Sequence, residues 1–93
     1  MIKPSDRPRL KRHARLRLDD LSGSGFVLYP EKGLQLNPTG LRILCLCEAG
    51  ATFAEIVAVL ASETAASAEG VSADVADFLN ALGRRGLLEG LSA

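Results

Sequence analysis

The stretch Leu34-Gln35-Leu36-Asn37-Pro38 constrains this chain more than any other. Leu34 and Leu36 alternate with Gln35 in the two-residue period of a half-buried strand, and the alternation stops at Asn37. Asn is a favoured cap for the first free amides of a helix. Pro38 at the first helical position loses nothing, because its missing amide would have had no intrahelical partner. A strand therefore ends and a helix begins within two residues.

The same periodicities organise the rest of the sequence. From Ala14, "ARLRLDD" alternates Leu16 and Leu18 against Arg15 and Arg17, and "SGSG" at 22–25 supplies a flexible turn. "FVLYP" reads as a second strand ended by Pro30, and "EKG" turns the chain into the third, "LQLN". The helix that begins at Asn37 runs to Gly50, a suitable left-handed stop. Thr52 and Glu55 form a Thr-x-x-Glu capping box ahead of Ile56, Val57 and Leu60, which predicts a second helix over 53–63. A linker over 64–70 follows. Ser72 then caps a third helix, with Asp74 in its first turn, an apolar stripe of Val75, Phe78, Leu79 and Leu82, and Arg84 and Arg85 near its negative end before Gly86. The final "LLEGL" packs back on the body or frays. Three strands followed by three helices give an α+β chain of winged helix-turn-helix type, with a three-stranded antiparallel sheet ahead of the helices.

A chain of 93 residues, 47% hydrophobic and 24% charged, has room for one modest core. No apolar run approaches the roughly 18 residues that span a bilayer, and the basic start has neither an apolar h-region nor a cleavage site. The cytoplasm is therefore expected. A reduced compartment fits Cys45 and Cys47, whose side chains, two apart on a helix, point to nearly opposite faces and cannot bridge. The chain is neutral overall, yet residues 1–20 set Lys3, Arg7, Arg9, Lys11, Arg12, Arg15 and Arg17 against Asp6, Asp19 and Asp20, a net +4 that leaves −4 for the remainder. Pro4 and Pro8 among these charges predict a basic, poorly ordered arm over 1–13, and a single domain over 14–93. The arm invites a nucleic-acid reading, and a solubilising tail explains it as well.

Little in the sequence supports catalysis. His13 is the single histidine and sits in the arm, so no nucleophile relay can be assembled around it. Zinc needs more ligands than Cys45 and Cys47 supply, and two small buried hydrophobes explain them better. A winged-helix DNA-binding regulator is the alternative function. Its recognition helix would need Arg or Lys where the third helix offers Ala73, Asp74, Asp77, Asn80 and Ala81, and the linker before that helix exceeds the three or four residues of a helix-turn-helix. A peptide-binding surface remains. A third strand at the sheet edge leaves amides and carbonyls that an extended peptide can join, with Leu34, Gln35 and Leu36 carrying the pairing, unless the arm or a second copy of the chain in a homodimer covers that edge.

The segments "RPRLKRHARLRLD", "VLYPEKGLQLN", "ILCLCEAGATFAEIVAVLA" and "DVADFLNALGRRGLL" together resemble the PqqD family of pyrroloquinoline quinone biosynthesis, from about Pro8 to Leu88. The most specific matches are Arg15 and Arg17, Pro30 with Glu31, Ile43-Leu44 and Leu46-Cys47 before a Gly, and Asp74-Val75 with Phe78-Leu79. Ala49 stands where the family usually has Asp, and His13 where Gly is usual. The resemblance implies a peptide chaperone without catalytic activity or cofactor. Such a protein binds the PqqA precursor peptide and presents it to PqqE, a radical S-adenosylmethionine enzyme that joins a Glu and a Tyr within the peptide. It also implies that the peptide adds beside the third strand, at Gly33, Leu34, Gln35 and Leu36, and lies against the third helix. Phe78 and Leu82 would then form the groove floor, with Asp77, Ala81 and Arg85 along the rim. Arg9, Lys11, Arg12, Arg15 and Arg17 are left for the enzyme, with no role expected for nucleic acid or membrane.

Overall fold

In the computed structural model, which describes residues 2–18, 25–29 and 32–91, the chain forms five strands and three helices. They run in the order β1 (Arg9–Leu10), β2 (Arg15–Leu18), β3 (Gly25–Tyr29), β4 (Lys32–Leu36), α1 (Pro38–Glu48), α2 (Phe53–Thr64), α3 (Ala68–Arg84) and β5 (Leu88–Glu89). The expected meander is the antiparallel sheet β2-β3-β4, and β1 pairs with β5 in a second, two-stranded sheet. The turn residues Ser22, Gly23, Ser24, Pro30 and Glu31 lie outside the described residues. The fold is α+β, with the helices packed on one face of the three-stranded sheet around Val27, Ile43, Leu44, Ile56, Val75 and Leu79.

Local chemistry sets the first two helices where the residues predict them. Asn37 is the N-cap of α1 with its side chain accepting from the Gly40 amide at 2.6 Å, and Pro38 opens the helix. Thr52 and Glu55 make both bonds of the capping box at the start of α2. The reciprocal bond to Thr52 lowers the Glu55 pKa.

Two expectations change. The third helix is capped by Ser67, whose hydroxyl accepts from the Gly70 amide at 3.2 Å, and not by Ser72, which lies inside it. Ala65 closes α2 in the left-handed region at φ 56° and Ser67 follows in an extended conformation, so the chain re-enters helix at Ala68. Buried Val71 then joins Val75, Leu79 and Leu82 in one apolar stripe. Only residues 65–67 separate the two helices. That is a turn of helix-turn-helix length, and linker length no longer argues against DNA.

The basic segment over 1–13, expected to be a poorly ordered arm, is built onto the body. The Pro4 and Asp6 carbonyls accept from the amides of Ala54 and Phe53 at 3.0 and 2.8 Å. These are first-turn amides of α2, which have no partner within their own helix. Pro8 is fully buried, the Arg7 guanidinium donates to the Gly50 carbonyl, and the Lys11 amide donates to the Leu87 carbonyl at 2.8 Å. Backbone polar groups of both chain ends are thus satisfied against each other and against α2.

Gly90 makes that closure possible. It sits at φ +89°, where a Cβ would run into the carbonyl oxygen and carbon of Arg7, which are backbone and unable to rotate away. Gly90→Ala should destabilise the fold by about 2 kcal/mol and lower Tm by roughly 8–16 °C, read by thermal unfolding followed by circular dichroism.

Candidate functional site

β4 is an edge strand, and its register with β3 fixes which of its groups are free. Tyr29 pairs with Lys32 across two intervening residues, and a connection of that length closes on a hydrogen-bonded pair. Alternation along an antiparallel ladder then makes Val27↔Leu34 and Gly25↔Leu36 hydrogen-bonded pairs as well. The backbone groups of Leu34 and Leu36 are therefore spent on β3. Those of Gly33 and Gln35 point to the open side, so these two residues, and not all four of 33–36, offer the pairing edge. Among side chains, Leu36 is buried, Leu34 is half-buried on the same inner face, and Gln35 is exposed on the other.

The strand packs chiefly on β3 and α1, while α3 packs chiefly on α2 and β5. Phe78 stands half-buried on α3, and its ring rests on Gly40, four residues beyond the end of β4. A Cβ at Gly40 would come within 2.9 Å of Phe78 Cε1, so only glycine lets the ring lie that close to α1. Asp74, Phe78, Ala81 and Arg85 follow one another at helical spacing along this flank of α3, with Asp74 and Arg85 exposed and Ala81 half-buried. Asp77 is exposed one step round the helix. Leu82, expected in the groove floor, is 2% exposed and belongs to the core, because its position falls on the stripe of Val75 and Leu79. It can offer no surface to a ligand.

A cavity of about 640 Å³ lies between the N-terminus of α1, the end of α2 and α3, with Pro38, Ile43, Asp74, Val75 and Phe78 in its wall. Arg42 and Glu63 close its rim through a two-pronged ion pair, 2.7 Å at its shortest. The pair holds the Arg42 pKa up and the Glu63 pKa down. A larger, mostly apolar cavity of about 950 Å³ lies on the other flank of α3, lined by Ile2, Phe53, Val57, Ala73 and Ala76 among others. The basic residues of β2 sit elsewhere. Arg15 and Arg17 are exposed on β2, the edge of the sheet opposite β4, and Arg12 is exposed in the turn before it. Arg9 is ion-paired with Glu89 at 3.0 Å, and Lys11 is half-buried.

Sequence reasoning missed Gly40 and Asp74 as parts of this site. The signal for Gly40 was a glycine in the first turn of a helix, where alanine would be better unless something approaches closely. Among the described residues no three His, Cys, Asp or Glu side chains gather as metal ligands would. Cys47 is 3% exposed, and burial pushes its thiol up to about 12, while Cys45 is half-buried.

Similarity to known proteins converges on one group. The model of the family described as coenzyme PQQ synthesis protein D (PqqD) matches residues 24–88. A PqqA binding protein of Rhodopseudomonas palustris (strain HaA2) is 33% identical over 87 residues, covering 94% of this chain and 85% of that protein. TbiB1, solved in complex with the TbiA(beta) leader peptide, superposes with a TM-score of 0.82 at 28% identity, over 91% of this chain and 99% of TbiB1. The solution structure of the PqqD truncation of Methylobacterium extorquens PqqCD, a stand-alone recognition element for ribosomally synthesised and post-translationally modified peptides, superposes at 0.80 and 29% identity, over 96% and 95%.

The burial of Cys47 is directly checkable. At pH 8 a thiol reagent should modify Cys45 of the native protein and leave Cys47 untouched, with both cysteines reacting after denaturation. Rapid native labelling of Cys47 would show that this end of α1 opens.

Proposed function

The chain belongs to the PqqD family, and from that membership we propose that it is the peptide chaperone of a pyrroloquinoline quinone pathway, binding a PqqA-like precursor by strand addition and presenting it to a PqqE-like radical S-adenosylmethionine enzyme. The single observation that carries this reading is the free edge of β4, with the Gly33 and Gln35 backbone turned outward beside Leu34 and the Phe78 ring seated on Gly40 just past the end of the strand. An extended peptide placed there gains two sets of ladder hydrogen bonds, each contributing about 0.5–1.5 kcal/mol net, and can bury apolar side chains against Leu34 and Phe78. Relatives named for binding PqqA, and a neighbouring fold holding a leader peptide, support the same choice of ligand.

The protein acts in this reading by raising the effective concentration of peptide at the enzyme, and needs neither catalytic groups nor a cofactor. No helix among the described residues is long and apolar enough to cross a membrane, and we assign the chaperone to the cytoplasm. Arg15 and Arg17 suit the enzyme contact, since β3 separates their edge from the peptide edge and both partners can be held at once. The DNA-binding alternative has a turn of suitable length between α2 and α3. It still sets exposed Asp74 and Asp77 against a polyanion.

Gln35→Pro removes an outward amide without touching the β3 ladder and should weaken binding of a labelled PqqA peptide by roughly three- to tenfold while the fold survives. Leu34→Pro breaks the ladder itself and should cost stability first. Unchanged affinity in a folded Gln35→Pro protein places the peptide elsewhere. Arg15→Glu with Arg17→Glu should weaken capture of the enzyme in a pull-down and leave peptide affinity within twofold. Loss of both together would show that the two surfaces are one.

A further inference from the structure

The groove flank of α3 is electrically polarised, and the polarity names the kind of peptide it takes. Asp74 stands near the N-terminal end of the flank and Arg85 at its C-terminal end, with Phe78 and Ala81 between them. The Arg85 end is reinforced from a second element. The bond from the Lys11 amide to the Leu87 carbonyl brings the turn over 11–13 beside the end of α3, and so places exposed Arg12 at the same end of the molecule. None of Asp74, Arg85 and Arg12 makes a side-chain ion pair or hydrogen bond among the described residues, in contrast to Arg9 with Glu89 and Arg42 with Glu63. Charges paired within the fold have already been matched. These three are open to a partner, as are exposed Asp77 and Arg84 on the same helix.

Resting on the proposed strand addition, we infer that the groove selects a peptide that is itself charge-polarised, with a carboxylate side chain at the Arg85–Arg12 end and a cationic side chain at the Asp74 end. The eleven residue steps from Asp74 to Arg85, the C-cap of α3, span about 16 Å, the length of roughly five residues of extended chain. The two charges on the peptide are therefore about five residues apart, on either side of the apolar side chain that meets Phe78. Edge hydrogen bonds alone read no sequence and leave the direction of the added strand open. Opposite charges at the two ends of the flank fix it, because the reversed peptide would face like charge at both ends. A nucleic acid has negative charge along its whole length and would meet Asp74 unfavourably, so an acid-bearing peptide fits this flank better.

The experiment compares two synthetic peptides on the whole chain by fluorescence anisotropy in about 0.15 M salt. One is a labelled PqqA precursor peptide. The other is the same peptide with its acidic residues changed to Lys and its basic residues to Glu. The wild-type protein should prefer the parent peptide by about tenfold, Arg85→Glu should lose about fivefold in parent affinity, and Asp74→Lys with Arg85→Glu should reverse the preference. Binding of both peptides to wild type within twofold overturns the inference and leaves strand addition standing. Binding of neither overturns strand addition of this ligand, and the polarity with it. Displacement of the bound peptide by a DNA oligonucleotide shows a polyanion site and overturns the inference too. Arg85 also lies at the helix terminus, so each variant is first unfolded thermally. If Arg85→Glu fails to fold, Arg85→Gln and the wild-type comparison of the two peptides decide the matter.

Discussion

Everything that faces the groove hangs on the junction where Asn37 ends β4 and begins α1. Its side chain holds the Gly40 amide and its carbonyl accepts from Leu41, so the direction in which α1 leaves the sheet is fixed within one turn. Gly40 then receives the ring of Phe78, which sets how near α3 can come. The edge of β4 and the flank of α3 are thus positioned through a single residue each. A cap and a missing Cβ, both local features, place two walls that come from distant parts of the chain.

Features decided by neighbours along the chain are legible in the sequence alone. The Asn37-Pro38 start, the Thr52–Glu55 box, the alternation of Leu34 and Leu36, and the burial of Val75 and Leu79 all follow from periodicity and capping chemistry. The start of α3 misled because Gly70 and Ser72 are weak helix formers and conceal the cap at Ser67. Leu82 misled for a different reason. A position on an amphipathic helix can be assigned to the apolar side from spacing, but whether it lies at the middle of the stripe or at its margin depends on what packs opposite. Phe78, one residue before Leu79, falls at the margin and stays half-buried.

The arm lay beyond such reasoning altogether. Its first anchors are carbonyls of Pro4 and Asp6 on the amides of Phe53 and Ala54, which are backbone groups that carry no side-chain signature. Prolines and charges describe what a segment would do alone in water, and the open amides of a helix nearly fifty residues away change that balance. The outward amides of Gly33 and Gln35 are invisible for a related reason, since alternation of side chains gives the faces of a strand and says nothing of which amides its neighbour uses.

The same anchoring decides how the domain can be built into larger machines. Ile2 and Pro4 line the cavity on the flank of α3 away from Phe78, so a polypeptide joined to the N-terminal end would emerge on the far side of that helix from the groove. A fused enzyme or an attached tag could sit there without shadowing the free edge of β4. The two cavities are in this sense separate surfaces, divided by the width of one helix.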